Sequence, residues 1–179
     1  MKIILVRHGE SEGNVRFEIN DDPVRIVNLT GRGRAQAAAA AEQLRGMPFT
    51  HAYASQFPRA QQTAAILLEH RELELRIDAR LNERISGMDG LHVEAFRDCV
   101  RDDYLHARPP GGESFVEQME RLRGFLDEAA ARHPDAFVLA VSHENPIVAA
   151  LCLLSTNPAQ TAQRGIDNCE WVELEWPAA

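Results

Sequence analysis

Apolar and polar positions along the chain fall into blocks that predict strands and helices in alternation. Ile3 to Val6 is an uninterrupted apolar run; it predicts a buried strand that ends at Arg7-His8-Gly9. Thr30 precedes an alanine-rich stretch reaching Leu44, which predicts an N-capped helix stopped by Gly46 and Pro48. His51 to Ser55 predicts a second strand. Pro58 to about His70 predicts a helix with Ala60, Ala64 and Leu67 on one face. Leu73, Leu75 and Ile77 alternate with Glu74 and Arg76, the pattern of a half-buried third strand. Asn82 to Gly90 holds two glycines and predicts a loop. Val93 to His106 is a weaker helical stretch.

Pro109-Pro110-Gly111-Gly112 is the sharpest break in the chain. Ser114 and Glu117 follow it as a capping box. Phe115, Met119, Leu122, Leu126 and Ala129 then form the best helical stripe. Ala136 to Val141 predicts a central strand ending in Ser142-His143. Pro146 to Leu154 predicts a buried helix with proline in its first turn, and Cys169 to Trp176 a last strand. The alternation over the full length predicts an α/β domain, a sheet with helices on both faces. The 179 residues suit one domain, 1–179.

Composition narrows the range of partners. Lys and Arg number 19 against 27 Asp and Glu, a net charge of −8, which argues against a nucleic-acid polymer as partner. A local arginine cluster still allows a small anionic ligand. The three cysteines, Cys99, Cys152 and Cys169, lack C-x-x-C spacing; no disulfide framework and a cytoplasmic setting are expected. No apolar run reaches transmembrane length, so no membrane partner is expected. Oligomeric state is not readable from the pattern.

The candidate chemistry lies at strand ends, where open α/β sheets gather ligands. Arg7 and His8 follow the first strand, His143 follows the central one, Ser55 to Arg59 follow the second, and Glu83 lies in the loop after the third. Converging, these ends would place two imidazoles, two guanidinium groups and a carboxyl in one pocket. Guanidinium forks match phosphate oxygens, and the helix start after Ser55 would add backbone donors. His8 is then the candidate nucleophile on phosphorus, with Gly9 allowing a close backbone approach. A protonated His143 would stabilise the phosphoryl oxygens. Glu83, its pKa raised by burial, would protonate the leaving alcohol.

LVRHGES at Leu5–Ser11 resembles the signature of the histidine phosphatase superfamily, the phosphoglycerate mutase-like family. LTGRGRAQA at Leu29–Ala37, SQFPRAQQTA at Ser55–Ala64, LNERISGMDG at Leu81–Gly90, PPGGES at Pro109–Ser114 and AVSHENPI at Ala140–Ile147 follow in the family's order. The resemblance implies a mostly parallel three-layer sandwich. It also implies a phosphohistidine on His8, a phosphate pocket of Arg7, Arg59 and His143, and Glu83 as proton donor. Ser11 and Asn14 would be supporting phosphate or substrate contacts, and Asn145 is a further candidate. The family needs no metal or other cofactor, and the substrate would be a small phosphate ester.

The chain departs from the family at two places. Glu144 and Asn145 stand where glycines often follow the second histidine; Glu144 is expected to point away from a phosphate. Ser86 stands where mutases carry tyrosine, and only about twenty residues, Leu91 to Pro110, are available for a lid, within a segment spanning 84–112. Both features favour hydrolysis. A mutase, a non-catalytic phosphate-binding module and a metal-dependent hydrolase stand as alternatives. Arg16, Arg25, Arg84 and His92 read as solvated or salt-bridged surface groups, and His51, His70, His106 and His133 as surface residues.

Overall fold

The computed structural model describes residues 1–177. Five strands form one sheet: β1 (Lys2–Arg7), β2 (His51–Ala54), β3 (Leu75–Ile77), β4 (Phe137–Ser142) and β5 (Trp171–Glu175), in the order β3-β2-β4-β1-β5. β1, β2, β3 and β4 run parallel, and β5 closes the edge antiparallel to β1. The near-continuous apolar runs of β1 and β4 follow from this placement. Both strands are interior, so both faces of each are covered.

Helices cover the two faces. α2 (Gly31–Leu44) and α3 (Pro58–Leu68) enclose one core with Ile4, Val6, Leu139 and Val141. α5 (Phe115–Arg132) and α6 (Glu144–Leu153) enclose the other with Ile3, Leu5, Val138 and Ala140. Alternate residues of one strand thus serve opposite layers. Thr30 caps α2, and Ser114 and Glu117 form the reciprocal capping box at the start of α5.

Several elements differ from the sequence reading. The third strand is only Leu75–Ile77, because its sole partner β2 pairs through just Ala52–Ala54, and Ile77 is exposed. The helix predicted over Val93–His106 stops at Val100 and is here α4 (Val93–Val100). Beyond it, the Asp103 carboxylate accepts from the His106 backbone N–H at 3.0 Å, a side-chain turn that competes with helix. Two short helices were not foreseen, α1 (Glu12–Arg16) and α7 (Pro158–Thr161). Cys152 and Cys169 are buried free thiols and Cys99 is exposed.

Gly9 allows a close backbone approach, and the backbone that approaches it is that of Gly33. A Cβ on Gly9 would lie 2.4 Å from the Gly33 carbonyl oxygen, and a Cβ on Gly33 would lie 2.0 Å from that of Glu10. The pair lets the first turn of α2 press backbone to backbone on the segment after β1.

Candidate active site

Parallel registry brings the two histidines together. Arg7 of β1 faces Ser142 of β4, so His8 and His143 leave the sheet side by side; their ring centroids are 5.0 Å apart. β2 lies on the other side of β4 and ends at Ala54; the hydroxyl of the next residue, Ser55, meets Nε2 of His143 at 2.8 Å. Arg59 on α3 reaches back between the imidazoles. Its Nε donates to His8 Nε2 at 3.1 Å and its Nη2 to His143 Nδ1 at 3.3 Å.

These contacts fix the tautomers. A guanidinium only donates, so His8 Nε2 presents its lone pair, and Nδ1–H donates to the Gly9 carbonyl at 2.7 Å. By the same logic His143 accepts at Nδ1 and donates from Nε2–H to Ser55. Both rings are buried. Burial first, then the charge of Arg59 beside each ring, holds both imidazoles well below the ordinary value of 6.5. The resting His143 is therefore neutral. Burial also lowers Arg59, to about 10, which leaves it charged at neutral pH.

Asn20 is a member of this site that sequence reasoning missed. Its side-chain oxygen accepts from Arg59 Nη1, and its backbone oxygen accepts from Nη2 at 3.2 Å. It lies in an irregular stretch with no motif around it; only the turn-forming Asn20-Asp21-Asp22-Pro23 run marked the place.

Arg7 carries a buried Nε with no acceptor among the described residues. Its Nη1 donates to the Ile166 carbonyl and pairs with Glu144 at 3.0 Å. Glu144 thus does not point away as expected; it sits in the cavity wall against Arg7. As the first residue of α6, immediately after the cap position, its carboxylate is also favoured by the helix N-terminus.

Glu83 lines the same cavity. Its Oε1 accepts twice, from the Arg84 backbone N–H at 2.9 Å and from Asn145 Nδ2 at 3.0 Å. Asn145 is fixed in turn by Tyr104, whose hydroxyl donates to Oδ1 at 2.5 Å. Burial raises the Glu83 carboxyl above its ordinary value of 4.5, against the opposing pull of those two hydrogen bonds and of Arg59. With Oε1 doubly engaged, a proton on this group sits on Oε2.

Ser11 and Asn14 both line the cavity, and they are bound to each other as the capping box of α1. Asn168 ties the α1 region to β1 by donating to the His8 carbonyl at 3.0 Å. Arg84 is not a surface group. It is buried, donates to the Glu113, Tyr104 and Ala107 carbonyls, and packs against the rings of Phe96, Tyr104 and Phe115.

Together these groups floor a cavity of about 430 Å³. Two guanidinium groups, two neutral imidazoles and a raised carboxyl form a field that favours an anion over a metal cation, and the unpartnered Arg7 Nε is a donor awaiting an anionic acceptor. The model of the histidine phosphatase superfamily (branch 1) matches residues 3–179. The chain belongs to that superfamily. It is 33% identical over 182 residues to phosphoserine phosphatase 1 of Hydrogenobacter thermophilus, covering 96% of this chain and 84% of that protein. It is 34% identical over 194 residues to the 2,3-bisphosphoglycerate-dependent phosphoglycerate mutase 2 of Gloeobacter violaceus, covering 98% and 86%. A mycobacterial glucosyl-3-phosphoglycerate phosphatase, solved in complex with VO3, superposes with a TM-score of 0.84 at 27% identity and covers 99% of both chains.

Proposed function

We propose that this chain is a phosphomonoester hydrolase that works through a phosphohistidine on His8. The observation that carries the reading is the unprotonated Nε2 of His8, held toward the cavity by the Nδ1–H bond to Gly9 and ringed by Arg7 and Arg59. In the resting site that lone pair accepts from Arg59. An incoming phosphate draws the Arg59 donors onto its own oxygens and frees the nitrogen to attack.

As the N–P bond forms, the bond from phosphorus to the ester oxygen breaks and its electrons go to the leaving oxygen. Glu83 Oε2 supplies the proton that makes the alcohol. The resulting carboxylate then takes a proton from water as that water attacks the phosphohistidine. The P–N electrons return to Nε2, and inorganic phosphate leaves. Arg7, Arg59 and His143 stabilise the charge on the transferring group. A dianion beside neutral His143 raises the pKa of that ring and so draws a proton to it. Ser11 and Asn14 hold the α1 side of the pocket, and Asn145, which also lines it, positions Glu83. The same reading takes residues 1–179 as one domain, with the 84–112 segment as a short lid.

Hydrolysis is favoured over mutase chemistry by position 86. Ser86 is buried, and its hydroxyl and backbone N–H both bond to Asp21, at 2.7 and 2.6 Å; it ties down the loop and offers no phenol to a second phosphate. The test is to quench the enzyme with a 32P-labelled ester. Acid-labile, alkali-stable label should appear on the wild type and be absent from a folded His8→Ala. Label persisting in His8→Ala would end the proposal.

A further inference from the structure

The cavity has two chemically different parts, and the outer one is unexplained by phosphate binding. Its wall is built from α4, whose Val93, Phe96 and Val100 fall at helical spacing on one face. Val27 and Ile19 stand among the other lining residues. Val100 and Val27 are buried, yet neither they nor Phe96 belongs to either core that flanks the sheet. The apolar face of α4 thus lines the cavity, with Phe96 also packed on the Arg84 guanidinium, and adds nothing to the two cores that flank the sheet.

The charged groups on this wall are paired with one another or with backbone carbonyls. Arg97 pairs with Glu94, and Arg101 with Asp98, each one turn back along the helix. Arg84 is taken up by three carbonyls. Glu18, also on the wall, pairs with Arg16 and Arg25. Among the described residues, the outer part therefore holds no arginine free of a partner to meet a second anionic group on a substrate.

We infer that the substrate class is a phosphate monoester with an uncharged, largely apolar leaving group, and that Phe96 is a specificity-determining residue for it. The inference rests on the hydrolase reading above. It sets such esters ahead of phosphoglycerates and phosphoserine, whose carboxylates would meet only paired arginines. Apolar area taken out of water is the driving term, and each fully buried methylene is worth about a factor of four.

A series of primary alkyl phosphates isolates that term, since ethyl and hexyl phosphate share a leaving-group chemistry and differ only in apolar length. For the wild type, kcat/KM for hexyl phosphate should exceed that for ethyl phosphate by about ten-fold or more, the difference lying in KM. Phe96→Ala should shrink the hexyl-to-ethyl ratio several-fold. A ratio near one, a ratio untouched by the substitution, or faster hydrolysis of 3-phosphoglycerate or phosphoserine than of hexyl phosphate would overturn the inference.

Binding of ethyl- and hexylphosphonate by calorimetry supplies a readout that needs no turnover. Tighter hexylphosphonate binding that weakens in Phe96→Ala supports the apolar site even if no ester is hydrolysed. Failure of every ester, ethyl and 4-nitrophenyl phosphate included, would count against the hydrolase reading alone. Equal affinity for the two phosphonates would count against the apolar site alone.

Discussion

Asn145 Nδ2 donates to Glu83 Oε1 at 3.0 Å, joining residues 62 positions apart in the chain. The bond stabilises the carboxylate form and so holds down a pKa that burial raises. In the proposed cycle kcat/KM requires Glu83 protonated and His8 neutral. Activity then falls on the alkaline side as Glu83 ionises, above its ordinary 4.5, and on the acid side as His8 protonates, below 6.5. Asn145→Ala should move the alkaline limb to higher pH while lowering the maximum on the order of ten-fold, as the carboxyl loses its anchor. A limb that stays in place would show that Asn145 does not act through Glu83.

Glu83→Gln removes the transferable proton but keeps the shape. First-turnover release of alcohol from an alkyl phosphate should fall by about 10² or more. Release of 4-nitrophenolate should fall far less, because that leaving group needs no proton. The substitution also bears on stability. A carboxyl raised by burial stabilises the fold below its unfolded pKa and loses that contribution as pH rises through the folded value. Glu83→Gln should therefore raise the melting temperature at pH 8 relative to wild type, and not at pH 4. Equal losses for the two esters would argue that Glu83 is not the proton donor.

Glu144 occupies Arg7 at 3.0 Å, where a phosphate would otherwise bind. It competes with anions for the same guanidinium and adds its own repulsion. Glu144→Gln should tighten product inhibition by inorganic phosphate several-fold, with the larger gain at low ionic strength. Unchanged or weaker inhibition would mean that the pair orients Arg7 for phosphate instead of opposing it.

Two helical glycines should respond oppositely to alanine. Gly124 on α5 has open space where a Cβ would be, so Gly124→Ala should stabilise by about 1 kcal/mol through helix propensity. Gly33 on α2 has the Glu10 carbonyl oxygen 2.0 Å from that position, so Gly33→Ala should destabilise by about 1–3 kcal/mol or more. Denaturant titration of both variants checks the contrast, and equal effects would contradict the close approach of Gly33 to the Glu10 backbone.

The residues that make the site were readable because each is tied to a local signal. Arg7 and His8 end an apolar run, His143 ends another, and Arg59 opens a helix after a strand. The parallel pairing of β1 with β4 then follows from ordinary α/β construction. Asn20, Tyr104 and the buried Arg84 were not readable in this way. Each lies in irregular backbone, and its role comes from a partner far along the chain. Glu144 was misread because charge repulsion with phosphate was weighed without Arg7, the group it contacts. Ser11 and Asn14 were taken as ligand contacts, while much of their hydrogen bonding goes to capping α1.

The sequence by itself determined the α/β order, the capped helices and the set of imidazole, guanidinium and carboxyl groups at strand ends, because these depend on periodicity and on neighbours in the chain. Tertiary structure alone decided protonation and commitment. Burial, and then Arg59 between the two rings, makes both histidines neutral, Asn145 engages one oxygen of Glu83, and α4 turns its apolar face to the cavity. Burial and hydrogen bonding between distant segments set those properties, and neither is encoded in the spacing of residues along the chain.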